Sequence, residues 1–436
     1  MWNNTKEKNL KIFLSTQIIC SLAFNFASTV ISYKIFDLTG SPIKFALSFV
    51  LNNLPKLFTS VAGVLADRFD KKKLYLLIDI FGFIILISAL GLGTSNDNLL
   101  QFYSLALGLL KSYSVPVTKS LVPFMAPKDG LLRTNAYEIS NDKIARTLGP
   151  VIPLFLTPIF GFNTVLLITM SLYALSFLLK NSLQFDSTES INRVEQNFFS
   201  QFVDGFNNLF GNTGLLLLLI NASITQFAFH PLISIVFPSI FKNIGYDSSS
   251  VMMRVFFSLA SIMGKNSEKL WMNLTAVIGL GGALGTFISL WYLSIHKGIG
   301  ERRGMTIGIV GQAIFGYLIY GVLTYQQMTG NLNLDILVLL LAIFNCGLYF
   351  SFNLFTIFFS VHYQKSIDRS TLGSFVGNMM LIFSLFYSIG ALLYGYTLKL
   401  GAWIAPNILL VSIFAKLILY AIFISFSKNE EKVKIG

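Results

Sequence analysis

Gly63-Val64-Leu65-Ala66-Asp67-Arg68-Phe69-Asp70-Lys71-Lys72-Lys73 is the stretch from which the fold can be read. It lies where one apolar run, residues 43–66, gives way to another, residues 74–95. Each is long enough to cross a bilayer, since about 20 apolar helical residues span the hydrocarbon core. The bases at this junction, Arg68 and the three lysines, are what holds a short loop on the cytoplasmic side. A basic anchor of that kind needs neither Gly63 nor Asp67, so an acid in a tight turn here points to a second task.

The rest of the chain is equally oily. Of 436 residues, 54% are hydrophobic and 12% charged, and mean hydropathy is +0.68. A soluble domain carries about a quarter charged residues. Apolar runs of spanning length fall at residues 12–36, 43–66, 74–95, 99–118, 135–160 and 164–179, and again at 213–237, 270–290, 304–325, 334–359, 371–398 and 402–426. They are about twice the length of a barrel strand and lack a period of two, which excludes a β-barrel. The expected fold is an all-α integral membrane protein with 12 transmembrane helices. Its expected divisions are an N-terminal six-helix bundle at 1–180, a cytoplasmic linker at 181–212, a C-terminal six-helix bundle at 213–427 and a cytoplasmic tail at 428–436. Residues 131–156 and 371–395 both run from a basic loop through a small-residue helix to an apolar end, the echo a duplicated six-helix unit would leave.

Charge placement orients these spans. Lys6, Lys8, Lys11, Arg68, Lys71, Lys72, Lys73, Lys128, Arg133, Lys180, Arg193, Lys297, Arg302, Arg303, Lys365, Arg369, Lys428, Lys432 and Lys434 all fall on segments of one parity. The opposite loops are nearly bare, apart from an extracellular insertion at 242–269. Both termini are therefore expected in the cytoplasm, in a multi-pass protein of the cell membrane with a retained first helix. The net charge of +12 is spread over short loops, so it reads as a topology signal and a contact to membrane lipids, not to nucleic acid. In the linker, Phe198, Phe199, Phe202, Phe206 and Phe210 suggest an amphipathic helix on the inner surface. In the insertion, a serine cluster at 248–250 precedes an amphipathic run at 251–263, expected to rest near the outer headgroups.

Hydrolase and nucleotide-phosphate motifs are missing, which argues against an enzyme. No cofactor site is expected. Cys20 and Cys346 lie in apolar spans and the histidines at 230, 296 and 362 are far apart, so no metal site is expected either. What remains is a set of ionisable groups inside spans, which by default mark a wet cavity or a pair. They are Lys56 beside Asn52 and Asn53, Lys111, Asp79, and on the fifth span Glu138, Asp142, Lys143 and Arg146. Glu138, Asp142 and Arg146 share one helical stripe; Arg146 can pair with Asp142 along it or with Asp79 across helices. The cluster reads either as a structural lock or as a proton or substrate site. Lys416 is isolated and expected to snorkel toward the headgroups. His230, one turn after Gln226, is either held in structure or carries a proton, with Glu138 and Asp142 as the other candidate carriers. Pro150 kinks its helix, Gly149 admits a close neighbour, and Gly281 with Gly285 forms a small-residue packing contact.

Taken together, the loop at 63–73, the Asp37-Leu38-Thr39-Gly40-Ser41 turn, Pro116, Pro123 and Pro127, and the Arg146-Thr147-Leu148-Gly149-Pro150 run resemble the macrolide- and drug-efflux branch of the major facilitator superfamily. Asp70 stands where that family usually has a second glycine, and Pro153-Leu154 replace the trailing glycine pair of its fifth-helix motif. The resemblance is clearest over residues 10–180 and breaks at the insertion. It implies two pseudo-symmetric six-helix bundles around a central cavity, alternating access by rocking, and a conformational latch formed by Gly63, Asp67, Arg68, Lys71 and Lys72. The fourth-helix arginine of proton antiporters would fall at about Leu107, with Lys111 the nearest base. Groups available to the cavity are Gln17, Phe24, Asn25, Asn52, Lys56, Tyr103, Lys111, Tyr113, Asn221, Gln226, His230, Phe344, Asn345, Tyr349 and Asn353. That mixture suits an amphiphilic or aromatic organic substrate better than a sugar or a small ion.

The expected function is proton-driven efflux of such a compound by a monomeric secondary transporter, an antiporter of the drug-resistance type. A flippase or exporter of an anionic lipid, lipid-linked molecule or peptide is the alternative, favoured by Lys56 and Lys111. A transport-inactive sensor or assembly partner is a third reading from another class.

Overall fold

In the computed structural model, the described residues are 2–58, 70–92, 95–125, 131–183, 211–244, 249–262, 270–296, 299–330, 332–367, 372–400 and 404–435. The described residues form helices joined by short turns, with no strand among them. The first six helices are α1 (Trp2–Thr39), α2 (Pro42–Asn53), α3 (Lys71–Leu92), α4 (Asp97–Met125), α5 (Leu131–Phe160) and α6 (Phe162–Asn181). They are followed by α7 (Thr213–Ile244) and a short α8 (Val251–Ile262). The last five are α9 (Leu270–Ile295), α10 (Glu301–Thr329), α11 (Leu334–Ser366), α12 (Leu372–Leu400) and α13 (Ile404–Ile435). Nine helices among the described residues are long and apolar enough to cross a membrane. The described part of each predicted apolar run lies largely on one of these helices. The run at 43–66 is described only as far as a 3₁₀ turn at Leu54–Phe58. Gly63, Asp67 and Arg68 of the expected latch, and the linker helix at 197–210, lie outside the described residues.

The chain forms two compact units, one of Met1–Glu195 with Phe256–Ala276, the other of Gln196–Val255 with Val277–Gly436. In the first, α1 is the axis: it packs on α2, α4, α5 and α6, while α3 packs on α4 and α6. Its buried face carries Phe13, Ala23, Ala27 and Ile31, small and large residues alternating so that four neighbours can approach. Asp70 takes the helix start in hand, its Oδ1 accepting the N–H groups of Lys72 (2.8 Å) and Lys73 (3.2 Å). The residue that departs from the family's glycine is thus an N-cap for α3, a role a carboxylate fills well. Lys44 Nζ donates to Asp97 Oδ2 at 2.6 Å and joins the starts of α2 and α4. That hydrogen bond holds the Asp97 carboxyl below its ordinary range.

In the second unit α10 and α11 pack along their length, and α13 lies against α7 and α10. Leu215, Leu219, Ile309, Leu354, Phe355 and Phe375 form much of its core. The small-residue contact predicted on α9 is real: a Cβ on Gly281 would stand 2.1 Å from Ala342 O, and one on Gly285 2.0 Å from Cys346 O. Backbone meets backbone there, so any larger residue would push α9 off α11. The helix expected in the insertion is α8. Its cap is Ser250, whose Oγ accepts the Met253 N–H at 3.1 Å. A second cap comes from the start of α11: Asp335 accepts from Ser250 Oγ (2.5 Å), Val251 N (2.7 Å) and Met252 N (3.1 Å).

Candidate functional site

Ionisable side chains inside apolar helices are where function is sought, because nothing about packing requires them. In the first unit, α1, α4 and α5 bring several together. Lys111 Nζ sits 4.3 Å from the centre of the Phe24 ring. Beside it is a cavity of about 40 Å³ whose walls include Cys20, Phe24, Lys111, Ser114, Asp142 and Tyr173. A water needs roughly 10–15 Å³ of such space, whereas pockets for organic ligands run from about 300 Å³. The cavity suits a few waters beside Lys111 and Asp142, not an organic substrate.

The α5 stripe supplies the acid. Asp142 Oδ2 meets Arg146 Nε at 2.6 Å, one turn along, so Arg146 takes the local partner of the two the sequence offered. Asn141 Nδ2 donates to Leu14 O at 3.0 Å and ties α5 to α1. One turn past Arg146, a Cβ on Gly149 would lie 2.5 Å from Asn25 Cβ; this is the close neighbour the glycine admits. Asn25 itself donates back to Ser21 O at 2.7 Å. Pro150 lies inside α5 with Pro153 and Pro158. Glu138 and Lys143 belong to α5, but their side chains are outside the described residues.

The other predicted groups of this unit scatter. Lys56 Nζ donates to Asn53 Oδ1. Asn52 is buried and donates to Ser104 O at 3.4 Å, fixing α2 to α4. Gln17 and Tyr103 are buried too. Tyr113 is 37% exposed and does not line the cavity, because it lies two residues from Lys111 and so on a different side of α4.

Asp79 requires a correction. It does not join the α5 charges but pairs with Lys180 at 2.8 Å, both side chains 0% exposed. Lys180 Nζ also donates to Tyr75 O at 3.2 Å and lies 3.8 Å from the Tyr75 ring centre. Read from the sequence as a topology-setting base, Lys180 instead turns inward, because an unpaired Asp79 in an apolar helix would be far costlier than a satisfied pair. The readable signal was an acid and a base near the same end of two spans. The two latch lysines within the described residues also have local work. Lys71 is buried, and Lys72 Nζ donates to Leu183 O at 2.7 Å just past the end of α6, where free carbonyls favour a cation.

In the second unit α7 is irregular where the sequence placed its polar residues. It turns π-helical at Thr225–Phe229 and again at Leu232–Val236, on either side of His230 and Pro231. Proline has no N–H to offer the helix ladder, and π-turns gather at functional sites. His230 stacks on Phe352 (5.6 Å between ring centres, 25°) and stands edge-on to Tyr349 (6.5 Å, 87°). Ser234, one turn on, lies 3.3 Å from Tyr387 Oη. Gln226, Phe344 and Asn353 are half-buried, and Asn353 Nδ2 has no partner among the described residues.

Asn345 and Asn221 are buried clamps instead. Asn345 Nδ2 donates to Ile278 O at 2.9 Å, and Asn221 Nδ2 to Lys416 O at 2.8 Å. Lys416 does not snorkel. It is 2% exposed, with Nζ donating to Asn221 O (3.1 Å) and to Thr225 Oγ1. No cluster of three or more potential metal ligands occurs among the described residues.

This helical order has known relatives. Macrolide efflux protein A of Streptococcus pyogenes is 22% identical over 252 residues, 55% of this chain and 60% of that protein. The protein of the same name from S. pyogenes serotype M6 matches equally. The chain thus spans less than two thirds of the curated relatives it matches. Among solved structures, the nucleoside transporter NupG superposes with a TM-score of 0.65 at 16% identity, covering 98% of this chain and 99% of that one. A mutant of NupG superposes with the same score over 96% and 99%. At such identity the likeness is one of fold. The family model of the Major Facilitator Superfamily matches residues 13–325. With that match over most of its length and the superfamily's helical fold, the chain is a multi-pass membrane protein and belongs to the major facilitator superfamily.

Proposed function

We propose that this transporter exports an amphiphilic or aromatic organic compound across the cell membrane by alternating access, driven by inward movement of protons, with both termini in the cytoplasm. The observation that carries the reading is the His230–Phe352–Tyr349 group, a titratable ring among aromatic faces beside two π-turns. Aromatic faces hold flat organic groups with little directional demand, and imidazole is the side chain whose ordinary titration lies nearest neutral pH. Asp142, beside the small polar cavity, offers a second proton position in the other unit, with Glu138 on the same stripe. Similarity to the macrolide efflux proteins supports the direction and the substrate class.

The test is uptake of radiolabelled erythromycin into reconstituted vesicles under an imposed pH gradient. Accumulation above equilibrium that collapses with an uncoupler is expected. Accumulation that survives the uncoupler would refute proton drive, and a failure to move erythromycin or other amphiphilic drugs would refute the substrate class.

A second reading, export of an anionic lipid, is favoured by α8. Val251, Val255 and Leu259 recur every four residues and are exposed there, an apolar stripe suited to the outer leaflet. Labelling of lipid headgroups on each side of the vesicle separates the readings.

A further inference from the structure

Each unit buries one lysine of its sixth span against its first and third spans, but the two lysines are treated differently. In the first unit Lys180 on α6 meets a carboxylate from α3, Asp79, and the charges cancel. In the second, Lys416 on α13 packs against α7 and α10. There α10 contributes an amide, Gln312, 0% exposed, and the partners of Lys416 Nζ among the described residues include no carboxylate.

The surroundings of Lys416 Nζ are complete in every other respect. Asn221 O accepts from it at 3.1 Å and Thr225 Oγ1 also accepts. The rings of Phe229 and Phe355 lie 5.6 and 5.7 Å away, within cation–π range. Thr225 Oγ1 in turn donates to Gln312 Oε1 at 3.4 Å, and Gln312 Nε2 to Ser351 O at 3.5 Å. The backbone is adapted to this: α7 leaves regular winding at Thr225, whose N–H bonds Ala222 O. Such a cage of dipoles and ring faces stabilises an ammonium but leaves its charge uncancelled, which is costly away from water. The neutral amine keeps the donors to Asn221 O and Thr225 Oγ1 and needs no counter-charge. Both protonation states therefore fit one set of side chains.

We infer that Lys416 is a proton-binding site of the second unit, an amine in one part of the transport cycle and an ammonium in another. The step is a simple transfer. Hydronium gives its proton to the Nζ lone pair when water reaches the site, and the ammonium returns that proton to water on release. Only N–H and O–H bonds form or break. The groups turned toward Nζ (Asn221, Thr225, Phe229, Phe355, with Gln312 behind Thr225) do not titrate. Titratable groups on the packed helices that lie nearest this end are engaged elsewhere, His230 with Phe352 and Tyr349, Tyr387 with Ser234, Tyr420 with Thr306 and Arg302 O, and Glu301 with Lys365 and His362. Tyr394 on α12 is buried with no hydrogen bond among the described residues. Use of this proton for coupling rests on the transport reading above; its binding does not.

The test is a titration of the full chain in lipid nanodiscs, with ¹³C at lysine Cε, whose shift separates amine from ammonium. One resonance, absent from Lys416→Met, is expected to pass between amine and ammonium within the titrated range. Gln312→Glu, which supplies the missing carboxylate, should hold that resonance as ammonium over more of the range and gives a second assignment if Lys416→Met does not fold. A wild type in which the resonance lost from Lys416→Met never changes form, or one that Gln312→Glu leaves unmoved, overturns the proposal. In vesicles, Lys416→Arg, which stays charged, is expected to lose gradient-driven erythromycin accumulation while keeping erythromycin exchange at equal pH. Intact accumulation in that variant overturns the coupling role. A wild type that moves no erythromycin sinks the substrate reading instead, and the titration still decides whether Lys416 binds a proton.

Discussion

Asp79 and Lys180 lie 101 residues apart in sequence and meet at 2.8 Å with no exposure to solvent. A pair of this kind matters most when half of it is removed. Asp79→Asn or Lys180→Met is expected to cost about 3–5 kcal/mol, whereas the double variant Asp79→Leu/Lys180→Met should recover most of that loss. Unfolding of the three purified variants in detergent checks this; single variants as stable as the wild type would show that the pair is no clamp. That Asp79 needed a partner was legible, since an acid inside an apolar run always does. Which partner was not. Arg146 had two acids in reach by sequence logic and took Asp142, one helical turn away, leaving Asp79 to a base at the edge of a loop. Lys416 went the same way: nothing in its own span announces Asn221 O and Thr225 Oγ1, which belong to a helix nearly 200 residues earlier.

Helices were the most legible level, because hydropathy, caps and breakers are local. Ser250 was readable as a cap and is one. The contribution of Asp335 was hidden, because it reaches α8 from the start of another helix. Removing that acceptor in Asp335→Ala should free the first N–H groups of α8 at a cost of about 1 kcal/mol, typical of a lost cap. Hydrogen exchange at Val251 and Met252 is then expected to speed up about fivefold, since local opening sets that rate. Unchanged exchange would mean that Ser250 alone holds the helix start. Winding was less legible than existence. The π-turns of α7 alter no composition and keep the span apolar, so only Pro231 inside the run gave warning of them. Asp70 shows the reverse case, a departure from a family pattern that acquires a plain local reason as the cap of α3.

For the whole molecule, membrane-scale regularities were legible and the working parts were not. The number and spacing of apolar runs, with 12% charged residues, left no soluble fold open. The superfamily assignment agrees with the motifs at 63–73 and 146–150. The proposed substrate and proton sites rest on a few side chains whose neighbours come from distant helices, and there composition gives only a chemical class. Antiport makes one demand that no passive carrier shares: substrate moving one way must move protons the other. The direct measurement is internal pH in vesicles loaded with a fluorescent pH indicator, with no initial gradient, on adding erythromycin outside. Entry of the drug accompanied by loss of internal protons, abolished by an uncoupler, is the result expected of a proton-driven exporter running in reverse. Drug entry with no change of internal pH would contradict it.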